Sequence, residues 1–214
     1  MQNKIYSKIY GWMFIGLLIS FITGYYISTN DNMLYNIYTN ASLPIILFVV
    51  EIGVVLAISA GLNKFSTMTL KTLYVVYSLV TGVTLSTIFI AYRMDSIIYV
   101  FIVTSIMFAI MALIGHKTTI DITKIGTILF VGLLGIIIAS LINLFIGSSS
   151  FDIMICIVGV IIFTIYIAYD VQVIKSQLET IEEDRLVIYG ALQLYLDFIN
   201  IFLKLLRLFG KRND

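Results

Sequence analysis

Two aspartates stand inside long apolar segments, where carboxyl groups are rare. Asp170 lies in "YIAYDVQVIK" and Asp197 lies in "LYLDFINIFLKLLRLFG". An aspartate at the centre of a membrane helix costs about 2.5 to 3.5 kcal/mol on insertion scales, and an intramembrane carboxyl group is by default a candidate functional residue. Both aspartates are equally far from the polar turn at 182–184. An antiparallel hairpin folded at that turn would therefore place the two carboxyl groups at the same depth.

The chemistry predicted for such a pair is the binding of protons and cations. Two carboxylates close together in a low-dielectric site cannot easily both be ionised, so the pair takes up a proton and titrates as a unit. A shared proton would join the two segments by a short hydrogen bond, whereas two charges would repel each other or bind a hard cation such as Ca²⁺. In the alternative interpretation, Asp170 caps or snorkels at the membrane boundary while Asp197 pairs with Lys204 or another base.

The last apolar segment also carries a polar stripe, and a third carboxyl group lies in an earlier segment. At 100° per residue, five polar side chains of the last segment fall within an arc of about 80°. They are Gln193, Asp197, Asn200, Lys204 and Arg207. The stripe indicates either a face bonded to neighbouring helices or the wall of an ion path. Glu51, in "LPIILFVVEIGVVLAIS", either lines the same path or bonds to serine and threonine residues of the third span.

Membrane helices must position these residues. Hydrophobic residues make up 60% of the 214-residue chain, charged residues make up 12%, and the mean hydropathy is +1.06. Soluble domains contain roughly 25% charged residues, and a helix needs about 20 apolar residues to cross the bilayer. We therefore predict an all-α polytopic membrane protein with a single transmembrane domain, 1–214, of seven helices. The predicted spans are 9–27, 43–62, 70–92, 97–115, 122–146, 153–174 and 187–209.

The positions of lysine and arginine predict the orientation. The connections on one side carry eight of them, whereas those on the other side carry only Arg93. By the positive-inside rule, the N-terminus is cytoplasmic. The basic tail after residue 204 would then face outward after seven crossings, unless the last segment is re-entrant; we favour seven crossings. The net charge of +1 gives no reason to expect a nucleic acid partner, and Cys156 has no partner for a disulfide and no metal-ligand spacing.

Enzyme classes fit the sequence poorly, and we predict no catalytic residue. For a serine protease, the single histidine, His116, and the serines of "GSSS" would lie on opposite sides of the membrane. For a retinal protein, Asp197 and Lys204 are seven residues apart, and the third span contains no carboxyl group. For an intramembrane aspartyl protease, the usual sequence contexts are only half met, by Tyr169 and Asp170.

The segments that contain the two aspartates also carry a family resemblance. "YIAYDVQVIK" followed by "ALQLYLDFINIFLKLLRLFG" resembles the C-terminal signature of the transmembrane Bax inhibitor motif family, and "SLVTGVTLS" resembles its third-helix motif. The resemblance implies seven helices with the last one central, and a pH-sensitive Ca²⁺ leak governed by two aspartates that match Asp170 and Asp197. Eukaryotic relatives are linked to suppression of cell death, and some bacterial relatives to control of a membrane protease.

One departure concerns the cation that would balance the aspartates. In bacterial relatives, an arginine is expected at the end of the second helix, where this chain reads "GLNKFSTM". Lys64 could take that place, as could Lys204 or Arg207 from the last span.

We therefore expect a Ca²⁺ leak channel gated by the protonation of Asp170 and Asp197. The sequence does not assign which protonation state conducts. The expected partners are the lipid bilayer, Ca²⁺ and H⁺, with no cofactor, and the chain is expected to be a monomer. The weight of Ile, Asn, Lys and Tyr suggests an AT-rich bacterium and hence its plasma membrane. The alternatives are a Ca²⁺/H⁺ exchanger and a non-conducting membrane regulator that contacts a protease or the stress machinery.

Overall fold

A computed structural model describes residues 2–40 and 42–213, which form helices joined by short connections. The helices are α1 (Gln2–Ser28), α2 (Asp31–Thr39), α3 (Leu43–Gly61), α4 (Thr67–Ala91), α5 (Met94–Lys117), α6 (Gly126–Ile146), α7 (Ser149–Ser176) and α8 (Glu183–Phe209). A 3-10 turn, Ile122–Ile125, leads into α6. In these described residues, all helices except α2 are long and apolar enough to span a membrane. The predicted all-α membrane fold with seven spans is confirmed.

Short polar signals mark several helix ends. Asn30 accepts a hydrogen bond from the backbone N–H of Met33 at the start of α2, and Ser66 does the same for Thr69 at the start of α4. Pro44 lies in the first turn of α3, where its missing N–H costs nothing. Gly147 follows α6 with φ 66°, a left-handed conformation that glycine adopts without steric cost.

The chain divides into two compact units. The first comprises Met1–Arg93, Gln177–Tyr195 and Arg212–Asp214, and the second comprises Met94–Ser176 and Leu196–Lys211. Helix α8 contributes its first half to the first unit and its second half to the second.

In the first unit, α1 packs closely against α4 at a pair of glycines. A Cβ atom at Gly82 would lie 2.9 Å from the carbonyl oxygen of Ser20, and one at Gly24 would lie 3.0 Å from the carbonyl oxygen of Gly82. Small residues of this kind allow the backbones of membrane helices to approach each other. Further along the same contact, Tyr74 donates a hydrogen bond of 2.9 Å to the carbonyl of Trp12, and the two rings lie 6.1 Å apart.

In the second unit, α5 packs against α7 in the same way. A Cβ atom at Gly115 would lie 2.8 Å from the carbonyl oxygen of Ala168. The second half of α8 packs through Phe198, whose ring lies 5.2 Å from that of Phe101 and 5.9 Å from that of Phe108. These ring contacts pack α5 against the part of α8 that carries Asp197.

Helix α8 is the most buried of the seven spans, as expected for the central helix. Its fully buried side chains include Leu186, Ile188, Leu192, Leu194 and Ile201. In contrast, α3 and α6 expose most of their apolar side chains, which suits helices that face lipid.

Helix α8 is continuous over its whole length, so it is not a re-entrant segment. At its start, Glu183 accepts a hydrogen bond of 2.6 Å from the Lys8 ammonium group, near the start of α1. At its other end, Arg207 forms an ion pair with Asp152 at the start of α7. Beyond α8, the side chain of Asn213 donates a hydrogen bond of 2.8 Å to the carbonyl of Ile90, in the last turn of α4. The helix is therefore continuous and long enough for a complete crossing.

Candidate functional site

Asp170 of α7 and Asp197 of α8 lie side by side in the second unit. Their carboxyl groups are within hydrogen-bonding range of each other, and the two residues are only 6% and 4% exposed. A hydrogen bond between two carboxyl groups requires a proton on one of them, because an ionised carboxylate only accepts. The pair is therefore arranged to hold one proton between two helices.

One oxygen of this pair depends on that proton. Oδ2 of Asp197 is buried and accepts no hydrogen bond from a protein donor in the described residues. A buried acceptor left in this state costs about 1 to 3 kcal/mol. A proton, a water molecule or a cation between the carboxyl groups would remove that cost.

The hairpin that joins α7 and α8 is not symmetric, although it brings the two aspartates together. Helix α7 ends at Ser176, six residues after Asp170, whereas α8 begins at Glu183, fourteen residues before Asp197. Near-equal distance from the turn at 182–184 does not by itself account for the contact between the two aspartates, because the first turns of α8 extend well before the apolar run.

Tyrosines of α7 complete the surroundings of the pair. Tyr166 lies one helical turn before Asp170 and interacts electrostatically with both aspartates, and Tyr169 interacts with Asp170. The ring of Tyr166 also contacts that of Tyr169, with centroids 5.8 Å apart. Tyr166 was not among the residues predicted from the sequence, although its spacing of four residues from Asp170 places the two on one helix face.

The polar stripe of α8 is divided among different partners. Asn200 donates a hydrogen bond of 2.9 Å to the carbonyl of Leu196 in its own helix, and Gln193 is half-buried in the first unit. Only Asp197 among the stripe residues forms part of the carboxyl pair in the described structure. The stripe is therefore not one continuous row of groups around the pair.

The basic side chains proposed as a latch have other positions in the structure. Arg207 is exposed and forms its ion pair with Asp152. Lys204 is half-buried, and its Cδ and Cε atoms lie where a Cβ atom at Gly159 would be. Lys64 is exposed in the connection after α3. The identity of the latch stays a prediction.

Glu51 of α3 belongs to the first unit and bonds to the third span. Its Oε1 atom accepts a hydrogen bond of 2.9 Å from the hydroxyl of Thr84 in α4. This contact corresponds to the second of the two roles considered for Glu51, a bond to a serine or threonine of the neighbouring span. Glu51 also faces Thr81 of the same helix.

Comparison with known proteins gives the family. Residues 2–214 match the family described as "Inhibitor of apoptosis-promoting Bax1". This chain belongs to that family. The resemblance found at the two aspartate segments is confirmed, and the Bax1 inhibitor family match extends over nearly the whole chain.

Three bacterial relatives illustrate the similarity, and two of them are named as membrane proteins. The chain is 39% identical to the "Inner membrane protein YbhL" of Escherichia coli, over 96% of this chain and 91% of that protein. It is 44% identical to an "Uncharacterized protein" of Borreliella burgdorferi, over 100% of this chain and 94% of that protein. A third relative, an "Uncharacterized membrane protein" of Streptococcus pyogenes, is 34% identical over 99% of this chain and 94% of its own length. The chain is accordingly an integral membrane protein.

Proposed function

We propose that the protein is a Ca²⁺ leak channel of the bacterial plasma membrane, gated by the protonation of Asp170 and Asp197. The observation that carries the proposal is the buried contact between these two carboxyl groups on different membrane helices. Carboxyl groups inside a membrane are costly and therefore rare, and those that occur typically mark ion or proton pathways. The proposal is for passive transport without catalysis.

The pair couples proton binding to the contact between α7 and α8. With one shared proton, the hydrogen bond between Asp170 and Asp197 holds the second half of α8 against α7. With both carboxyl groups ionised, repulsion at close range opposes this contact unless a cation enters. The two states therefore favour different spacings of the helices, which is the requirement for a gate.

The ligands that the pair offers suit a passing Ca²⁺ ion better than a stored one. Ca²⁺ takes about six to eight oxygen ligands, and two carboxyl groups supply at most four. Water would provide the others. Conduction requires a site that binds an ion strongly enough for entry and weakly enough for release, and a partly hydrated carboxyl pair meets both conditions.

The test is Ca²⁺ flux into proteoliposomes at a series of pH values. In the parent protein, flux is expected to change with pH, whereas Asp170→Asn and Asp197→Asn should each abolish the pH dependence, because neither can form a proton-sharing carboxyl pair. Glu179→Gln is the matched control, since Glu179 is an exposed carboxyl group in the connection before α8. An unchanged pH profile in both asparagine variants would contradict the proposal.

Two further measurements separate the alternatives. A Ca²⁺/H⁺ exchanger would use a pH gradient to move Ca²⁺ against its own gradient, whereas a leak only dissipates the Ca²⁺ gradient. A non-conducting regulator would give no flux at any pH and would co-purify with a membrane protease.

A further inference from the structure

A second polar cluster lies in the first unit, apart in sequence from Asp170 and formed by α3, α4 and the first half of α8. At its centre is Thr81, which is 5% exposed and whose hydroxyl has no hydrogen-bond partner in the described structure. The hydroxyl lies close to the carboxyl group of Glu51 and the hydroxyl groups of Tyr77 and Tyr195, but it has the geometry of a hydrogen bond with none of them. Both tyrosines are almost fully buried.

The free hydroxyl of Thr81 is unusual for a membrane helix. A buried serine or threonine in a helix generally bonds to a carbonyl one turn earlier. Ser78 donates a hydrogen bond of 2.9 Å to the carbonyl of Tyr74, and Thr104 donates one of 2.8 Å to the carbonyl of Val100. Thr81 makes no such bond in the described structure. Its hydroxyl group is therefore left for a group that is not part of the protein.

The hydrogen bonds around Tyr195 leave its oxygen lone pairs available. The hydroxyl of Ser20 lies within donating distance of two carbonyls, that of Ser78 at 2.6 Å and that of Gly16 at 3.0 Å. When its single proton goes to either carbonyl, the contact of 2.6 Å between Ser20 and Tyr195 uses the proton of Tyr195. The phenol oxygen of Tyr195 is thus an acceptor toward the cluster.

The charge of the cluster comes from Glu51. Its described hydrogen-bond partner is the neutral hydroxyl of Thr84, and the structure gives it no ion pair in the described residues. A carboxylate in a membrane span is costly without a compensating charge. One negative charge surrounded by neutral oxygens matches a monovalent cation, whereas Ca²⁺ sites usually contain several carboxylates.

We propose that Glu51, Thr81, Tyr77 and Tyr195 form a binding site for a small monovalent cation, and that Na⁺ occupies it. The carboxylate balances the charge of the ion, and the three hydroxyl oxygens take the place of part of its water shell. The ion bridges α3, α4 and α8 within the first unit. Its role is therefore distinct from that of the carboxyl pair, and it does not depend on Ca²⁺ conduction.

Thermal unfolding of the purified protein in detergent tests this site. The unfolding temperature is measured by circular dichroism in Na⁺ and in N-methylglucamine, a cation too large for the site, at equal ionic strength. Because a ligand that binds only the folded state stabilises it, Na⁺ should raise the unfolding temperature of the parent by about 2 to 4 °C. Thr81→Val and Glu51→Gln should remove the rise.

Three controls keep the result specific. Thr81→Ser retains the hydroxyl group and should retain the rise in unfolding temperature with Na⁺. This control shows whether Thr81→Val loses the effect through the missing hydroxyl ligand or through misfolding. Thr104→Val removes a buried hydroxyl of the second unit and should leave the rise intact, as should Asp197→Asn. Equal unfolding temperatures of the parent in both cations would overturn the proposal and indicate a site for water beside a protonated Glu51. A rise that persists in Thr81→Val would overturn it as well.

Discussion

Asp170 and Asp197 are two buried carboxyl groups that lie side by side, so the protonation of each affects the other. The carboxyl group of Asp170 is the neighbour with which Asp197 can share a proton. Such a proton would have a structural role as well as the gating role proposed here. A substitution should be judged by whether it preserves a donor at this position.

Two variants of Asp197 should differ in stability. Asp197→Asn keeps an N–H donor for Asp170 and should cost little, whereas Asp197→Leu leaves a buried carboxyl group without a donor and should cost about 1 to 3 kcal/mol. Thermal unfolding in detergent, in the pH range where the parent is most stable, measures the difference. If both variants lose the same stability, the hydrogen bond between the carboxyl groups contributes nothing.

The two polar sites differed in how far the sequence predicted them. Asp170 and Asp197 could be identified because a charged residue in an apolar run has few explanations. The cluster around Thr81 could not, because hydroxyl residues are common in membrane helices and usually bond to their own backbone. The free hydroxyl is apparent only from the packing of Thr81 near Tyr195, and the hydropathy of the sequence does not predict that packing.

At the scale of the elements, the contact between α5 and α7 positions Asp170. Gly115 faces the backbone of α7 at Ala168, and a Cβ atom there would also lie 3.0 Å from the Cβ atom of Val171, next to Asp170. A backbone cannot move aside as a flexible side chain can. The separation of the two helices is therefore fixed by the absence of a side chain at Gly115.

Gly115→Ala should accordingly destabilise the protein by about 1 to 3 kcal/mol through overpacking. Gly135→Ala in α6 is the matched control, since a Cβ atom there meets nothing within 4 Å. Alanine should be neutral or stabilising at that position by up to about 1 kcal/mol, because it favours the helix. The unfolding temperatures of both variants provide the measurement. Equal losses of stability in both variants would show that the close contact at Gly115 does not restrict the size of the side chain there.

Hydropathy predicted the spans more accurately than their ends. Helix α8 begins at Glu183 rather than at 187, since Glu183 and Asp184 are charged but favourable in the first turn of a helix. Helix α2 was not predicted, because "DNMLYNIYT" is short and mixes polar with apolar residues. The pairing of α5 with α7 was also unpredicted, since hydropathy reports burial in lipid and protein alike.

At the scale of the whole molecule, seven complete crossings would place the two ends of the chain on opposite sides of the membrane, and this is the topology that we predict. The start of α8 lies with the start of α1, and the tail after α8 bonds to the end of α4. The backbone N–H of Asn213 adds a hydrogen bond of 3.1 Å to the carbonyl of Ala91. The tail is therefore held at the end of α4, and with seven crossings its basic residues would face outward, against the usual charge bias.

Thiol labelling of variants with one added cysteine tests this topology. The native Cys156 is buried, so the parent should label weakly with a membrane-impermeant maleimide. In spheroplasts, Lys211→Cys should be labelled from outside, whereas Glu179→Cys should be labelled only after permeabilisation. Labelling of both from the same side would contradict a complete crossing by α8, and the reversed pattern would place the N-terminus outside.

The fluorescence of the single tryptophan reports on the first unit alone. Trp12 lies against Tyr74 in the contact between α1 and α4, and its ring is 5.7 Å from the Lys71 ammonium group. Its emission spectrum therefore reports the local environment of the first unit, whereas circular dichroism follows helices of both units. If the two signals change at different temperatures, the chain loosens in two steps, and the fluorescence identifies which half yields first.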